Sequence, residues 1–258
     1  MDLFGISMNT IYITCFIIFG IISSWAVLAN MNIPKLRGKI PKGFVIFITG
    51  TNGVGKTSTA IRVSKKLGMR VIEINSLRQA LRSQKMLFEK AGDIKNYNLL
   101  KKPTYSLDEP KDTYPIVKSD FQKQCELLSP VITGVAEYYT KEQVSTVFEG
   151  INILPTMLNI PCRYVLFVHL YIGNEQALKK RLDRKAYTNA DKGNLYDTRF
   201  HIILKTAQAI KADFDSIQEI KVPNPEIHKL SIDTHYLSIR KVTKEIIREV
   251  RKICDTSS

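Results

Sequence analysis

Residues 50–57 read Gly-Thr-Asn-Gly-Val-Gly-Lys-Thr, and the chain on either side has the local structure this octapeptide needs. Upstream, the continuous apolar run Phe44–Ile48 predicts a buried strand. Downstream, Lys56–Leu67 predicts a helix, with Gly68 as its stop signal. A strand that runs into G-x-x-x-x-G-K-[ST] and turns into a helix is a phosphate-binding loop. Glycines at 50, 53 and 55 leave the backbone free to adopt positive φ, so that its N–H groups can wrap around phosphate oxygens. The candidate nucleotide ligands are therefore Gly50, Thr51, Asn52, Gly53, Val54, Gly55, Lys56, Thr57 and Ser58. Among them Lys56 is expected to reach the β- and γ-phosphates and Thr57 to ligate Mg²⁺, while the helix N-terminus adds positive field. The implied cofactors are ATP and Mg²⁺.

A chain of 258 residues can bury one large α/β domain. Its net charge of +14 is uneven: residues 1–34 hold a single charge, Asp2. Such a surface suits small anionic substrates, anionic lipid or nucleic acid, and solubility charge spread over helix faces accounts for it equally well. Nucleic acid is the least favoured of these, because no basic tract is interleaved with aromatic residues that would stack on bases. The cysteines at 15, 125, 162 and 254 are too far apart for a C-x-x-C site and too few for a disulfide scaffold, so they read as reduced thiols. The histidines at 169, 201, 228 and 235 lack metal-ligand spacing and read as surface or strand residues.

From Ile11 to Ala29 the chain has nineteen residues without a charge, long enough as a helix to cross a bilayer. Lys35, Arg37, Lys39 and Lys42 follow, with no acid before Glu73, so the positive-inside bias places the domain after them in the cytosol. Tyr12 and Trp25 sit near the ends of the span, as interfacial aromatics do. Two competing readings are a cleaved signal peptide, which lacks its basic n-region here, and a soluble cytoplasmic protein begun at Met31. The expected division is a transmembrane anchor at 1–30, a basic linker at 31–42 and a catalytic domain at 43–258.

Beyond the loop, strands are expected at Arg70–Ile74, Ser145–Phe148 and Arg163–Ile172. Helices are expected from Ser76 to Arg82, from about Lys118 to Tyr139, from Glu175 to Lys185, from near Arg199 and from about Leu237 to Ile253. Residues 94–117, with three prolines, read as irregular. In the last helix Ile239, Val242, Ile246, Val250 and Ile253 form an inward stripe, with Arg240, Lys244, Arg248 and Arg251 facing out. Alternating strand and helix patterns predict an α/β fold with a parallel sheet flanked by helices, preceded by one N-terminal transmembrane helix.

The order of the phosphate loop, VIEINSLRQALR (71–82), the stretch ending VFEGINILP (147–155) and FVHLYIGNEQALKKRLDRKA (167–186) resembles the 2-phosphoglycerate kinase family of P-loop kinases over roughly residues 45–215. The resemblance rests on the NSLRQALR and EGINILP segments, which parallel that family's S-T-D-S-I-R-E-x-L-R and I-I-E-G-V-H-L-V-P stretches. It implies a P-loop NTPase fold of the nucleoside-monophosphate-kinase-like type and transfer of the γ-phosphoryl of ATP to a small phosphorylated acceptor. Arg78 matches the family's arginine after the second strand, Glu149 its E-G glutamate, and Arg181 and Arg184 its basic helix and lid. Arg199 precedes a helix where Lys205 and Gln208 match only loosely. Asn75 stands where the family has Asp, and Asn152 where it has His.

Lys56, Glu149, Arg181 and Arg184 are thus the expected catalytic residues. Asn75, Arg78 and Asn152 are the expected acceptor side, with Arg78 gripping the acceptor's anionic group. A polynucleotide or nucleotide kinase and a membrane-anchored P-loop ATPase without a kinase acceptor are the alternatives.

Overall fold

Five strands of four to eight residues lie parallel in one sheet, and the largely apolar Val45–Thr49 and Tyr164–Tyr171 among them are covered on both faces. The computed structural model describes residues 40–102, 119–160, 162–187, 200–219 and 226–256. The transmembrane span expected at 11–29, the linker up to residue 39 and Arg199 lie outside these residues. Among the described residues, no helix is long and apolar enough to cross a membrane.

In chain order the elements are β1 (Val45–Thr49), α1 (Lys56–Leu67), β2 (Arg70–Glu73), α2 (Ile74–Arg82), α3 (Lys85–Lys90), α4 (Ile94–Lys101), α5 (Asp120–Lys141), β3 (Thr146–Glu149), β4 (Tyr164–Tyr171), α6 (Glu175–Tyr187), α7 (Phe200–Asp215), β5 (Glu226–Asp233) and α8 (Ile239–Thr256). Short 3-10 turns occupy Pro155–Met157 and Ser216–Glu219. The strand order is β2-β3-β1-β4-β5, so β1 sits centrally between β3 and β4. Register pairs Ile48 with Glu149 on one side and Val168 on the other, which aligns the C-terminal strand ends where ligands bind in open α/β sheets.

Side chains alternate across the sheet. Phe44, Ile46 and Ile48 pack with Leu166 and Val168 against Ala60 and Val63 of α1 and Val242, Ile246 and Val250 of α8. Val45 and Phe47 face the other way, toward Ile74 and Leu77 of α2 and Leu128 and Ile132 of α5. On that face Phe47 stacks between Phe148 and Phe167, with ring centroids 5.0 and 5.1 Å apart. Each such buried side chain contributes on the order of 1.5–3 kcal/mol. Gly68 ends α1 in the left-handed conformation at φ 69°, as expected of a glycine placed after the last apolar position. A capping box opens α5: Ser119 Oγ accepts from the Gln122 N–H at 3.3 Å, and the Gln122 side chain accepts from the Ser119 N–H at 3.1 Å.

Three expectations change. Residues 94–101, read as irregular, form the helix α4, in which Tyr97 and Leu100 are buried by tertiary packing that a proline-rich window hides. β5 has no counterpart in the sequence reading, because it lies at the sheet edge and carries His228 and Lys229 among its apolar residues. Ile239 is 41% exposed rather than inward, since it begins α8 and the buried stripe starts at Val242.

His169 of β4 is buried between the rings of Tyr171 and Phe214, with centroids 5.5 and 5.3 Å away. Ser231 Oγ lies 3.4 Å from its Nδ1. Burial lowers its pKa to about 4. The unfolded chain takes up this proton near pH 6.5 and the folded one only near 4, so stability is full above the first value and drains as pH falls toward the second. The loss is expected to reach at most about 3 kcal/mol. Denaturant melts at pH 7 and pH 4.5 check it: His169→Gln should show a smaller fall between the two than the parent chain does.

Candidate active site

The turn after β1 is held in a shape that side chains would obstruct. Gly50 has φ 141°, and a Cβ there would lie 2.1 Å from the backbone oxygen of Leu170, so β4 itself excludes any larger residue. Gly55 has open space around it, and its φ of 93° is what demands glycine. The turn feeds α1, whose first residue is Lys56. Lys56 is buried, and its Nζ donates to the Thr51 carbonyl at 2.7 Å, which keeps the ammonium with the loop.

Glu149 ends β3, next to β1 in the sheet, and is 6% exposed. Thr57 Oγ1 donates to Glu149 Oε1 at 2.9 Å. A hydroxyl and a carboxylate in contact at the mouth of a glycine cradle form the donor set that hard Mg²⁺ takes in a nucleotide site, one oxygen direct and one through metal-bound water. The residues present therefore fit a Mg²⁺-nucleotide. Two further bonds lock the neighbouring turn to the same strand end: Gly150 N–H donates to Ile48 O at 3.1 Å, and Thr49 Oγ1 donates to Ile153 O at 2.9 Å.

The expected acceptor residues are spread around this centre. A Cβ on Gly150 would come within 2.6 Å of Ile74 Cβ, so the start of α2 is pressed against the Glu149-Gly150 turn. Asn75, the next residue of α2, is exposed there. Asn152 is buried, and its Nδ2 donates to Cys125 Sγ at 3.7 Å. Burial pushes the Cys125 thiol pKa up, so it stays a neutral acceptor.

Arg78 differs from the expected anion grip. Its Nε and one Nη donate to Leu100 O at 3.0 and 2.9 Å, and that Nη also donates to Lys102 O. The last carbonyls of α4 have no partner within their own helix, and the guanidinium satisfies them. Burial first, then the charge of Arg82, pushes the Arg78 pKa down from its ordinary value. Gln124 converges on the same end, donating to Leu99 O at 2.9 Å and Lys102 O at 3.1 Å. The sequence reading missed Gln124. The available signal was a polar residue one place before Cys125 on the apolar stripe of α5.

Arg181 and Arg184 lie on α6. Arg181 donates to the Thr234 carbonyl, to His235 O at 3.0 Å and to Thr234 Oγ1 at 3.3 Å, tying α6 to the turn after β5. Arg184 is exposed. Leu178 and Leu182 of the same helix line the space beside Gly53, so α6 also backs the phosphate loop. The turn after β5 is organised by Asp233, another residue the sequence reading passed over: its carboxylate accepts from the N–H groups of Gly173 at 3.2 Å and His235 at 2.8 Å. Lys205 and Gln208 lie on α7. No group of His, Cys, Asp and Glu among the described residues could hold a metal ion by itself.

No protein-family model matches the chain, and no curated protein matches it in sequence. Solved structures similar to it include a gluconokinase from Sinorhizobium meliloti, at 13% identity and TM-score 0.44 over 84% of this chain and 96% of the other. A shikimate kinase from Acinetobacter baumannii in complex with shikimate is similar at 14% identity and TM-score 0.43, over 82% and 93%. A sugar kinase from Janibacter is similar at 16% identity and TM-score 0.45, over 80% and 92%. Likenesses this slight carry no argument about this chain's activity, which rests on the loop and its neighbours.

Proposed function

We propose that this chain is an ATP-dependent kinase that moves a γ-phosphoryl group to a small phosphorylated acceptor, with 2-phosphoglycerate the acceptor to which the sequence resemblance points. The observation that carries the reading is the Thr57–Glu149 contact at 2.9 Å, at the end of β3 and beside a glycine loop that excludes side chains. Bound ATP·Mg²⁺ would supply the phosphoryl group and the neutralising cation. The chain then supplies alignment and positive charge, which is most of what phosphoryl transfer asks of a protein. Loop N–H groups and Lys56 hold the phosphates, Thr57 holds the metal, and Glu149 orients a metal-bound water or the acceptor hydroxyl. Arg181 and Arg184 belong to the helix that backs the loop, where added charge offsets what develops in the transition state.

On the acceptor side, Asn75 is exposed at the start of α2, and Asn152 is buried behind the Glu149-Gly150 turn. Arg78 acts there by holding the end of α4 in place. Arg78→Ala should loosen the end of α4, since losing a charge-assisted hydrogen bond costs about 1.5–3 kcal/mol, and should raise the KM for acceptor only through that loosening, with the KM for ATP little changed. It should also speed amide exchange in Ile94–Lys101, which a side chain that touched only the acceptor would not do.

A screen of the full chain with γ-labelled ATP tests the function, using 2-phosphoglycerate, other phosphorylated acids, inositol phosphates and oligonucleotides as acceptors. Label in a small phosphorylated product supports the reading. Label only in oligonucleotides makes the chain a polynucleotide kinase, and release of phosphate to water alone makes it an ATPase.

A further inference from the structure

The layer built from α1 and α8 has an outer surface that the phosphate chemistry does not use. Both helices pack on the same face of the sheet, so the sides turned away from it point in one direction. On α8, Arg240, Lys241, Lys244, Arg248, Arg251 and Lys252 fall within about 120° of arc at 100° per residue. On α1, Arg62, Lys65 and Lys66 are exposed, beside Ile61 at 41%. The acids of the two helices are Glu245, Glu249 and Asp255. Glu245 pairs with Arg248, and Glu249 pairs with Lys252 at 2.9 Å. Asp255 is exposed within the same arc, but among the described residues Arg62, Lys65, Lys66, Arg240, Lys241, Lys244 and Arg251 have no ion pair, so the face presents an excess of cations.

The chain enters the domain on this same side. Ile40 packs against the apolar cluster that α1 and α8 cover. Immediately before it stand Lys35, Arg37 and Lys39, and before those the uncharged stretch 11–29. Ten residues separate Ala29 from Ile40, a reach of at most about 35 Å fully extended, or about one domain diameter. A face of this charge, joined to an uncharged stretch by a tether of that length, complements an anionic lipid surface, where each basic residue adds about fivefold in binding. Nucleic acid suits it less, because among the described residues α1 and α8 themselves carry no aromatic side chain to stack on bases.

We propose that the outer face of the α1/α8 layer docks on the headgroups of an anionic membrane, the same membrane that receives residues 11–29. Docking this layer leaves α2 and α4, on the opposite face of the sheet, turned toward the aqueous phase. The proposal does not depend on the kinase reading.

The test uses the full chain reconstituted in vesicles of phosphatidylcholine alone or with added phosphatidylserine. Lysines are modified with a water-soluble amine reagent and read by peptide mass spectrometry. On phosphatidylserine vesicles Lys65, Lys66, Lys241 and Lys244 should lose at least about fivefold in reactivity. They should recover it in roughly 0.5 M sodium chloride, where screening cuts the range of the field to about 4 Å. Lys85 of α3 should react alike on both vesicles. The combined variant Lys65→Gln, Lys66→Gln, Lys244→Gln and Arg251→Gln should lose the protection of Lys241 while binding ATP as before. Equal reactivity on the two kinds of vesicle overturns the proposal. So does protection by an added oligonucleotide with none by phosphatidylserine, which would assign the face to nucleic acid.

Discussion

Lys56→Ala should reduce phosphoryl transfer by on the order of a thousandfold while leaving the thermal melt of the apo protein within a few degrees of the parent. The reasoning starts from where the ammonium sits. It is bonded to the Thr51 carbonyl inside its own loop. Truncation therefore removes positive charge from the phosphate site, while both apolar clusters of the sheet keep all their side chains. Charge on the migrating group peaks in the transition state, so the loss should fall on kcat more than on the KM for ATP. Single-turnover transfer from γ-labelled ATP, measured beside a calorimetric melt, separates the two effects. A variant that keeps near-normal turnover would remove the phosphate-loop reading of residues 50–57.

The second large effect concerns the Thr57–Glu149 pair. Glu149→Gln keeps an oxygen that can accept from Thr57 Oγ1 but removes the negative charge, so the fold should persist while turnover drops by about a hundredfold or more. Thr57→Val removes the hydroxyl at nearly constant shape and should weaken nucleotide binding only when Mg²⁺ is present. Thr57→Ser should restore most of it, because Ser carries the same oxygen. Titration of a fluorescent ATP analogue with and without Mg²⁺ reads this directly. If Thr57→Val bound the analogue equally well in both conditions, the hydroxyl would have no part in holding the metal.

How far the fold could be read from the chain depended on whether a signal was local. α1 was legible to the residue, because the loop glycines, Lys56 and Gly68 bracket it within nineteen positions of sequence. The place of Glu149 at a strand end was legible because an apolar strand running into Glu-Gly is a short-range pattern, whereas its match to a family site came from the resemblance. Arg78 was placed on the correct helix, but its engagement could not be seen: its partners lie 22 and 24 residues downstream, on a helix hidden in a segment read as irregular. The same holds for Arg181, whose carbonyl partners are more than fifty residues away. β5 escaped because an edge strand needs only one well-covered side and tolerates the polar residues that break an apolar run.

The central place of β1 bears on how the chain comes together. β1 bonds to β3 and β4 and not to β2, the next strand made, so its first partner arrives about a hundred residues later. During synthesis the glycine turn would therefore emerge long before the strand ends that shape it, and Leu170, whose carbonyl limits Gly50, comes later still. Chains whose contacts span such separations fold slowly and expose unpaired apolar strands in the meantime. Nucleotide cannot shorten that wait, since its cradle exists only when the last of these strands is in place. What it can do is hold the finished domain, adding stability by mass action to the one state that binds it.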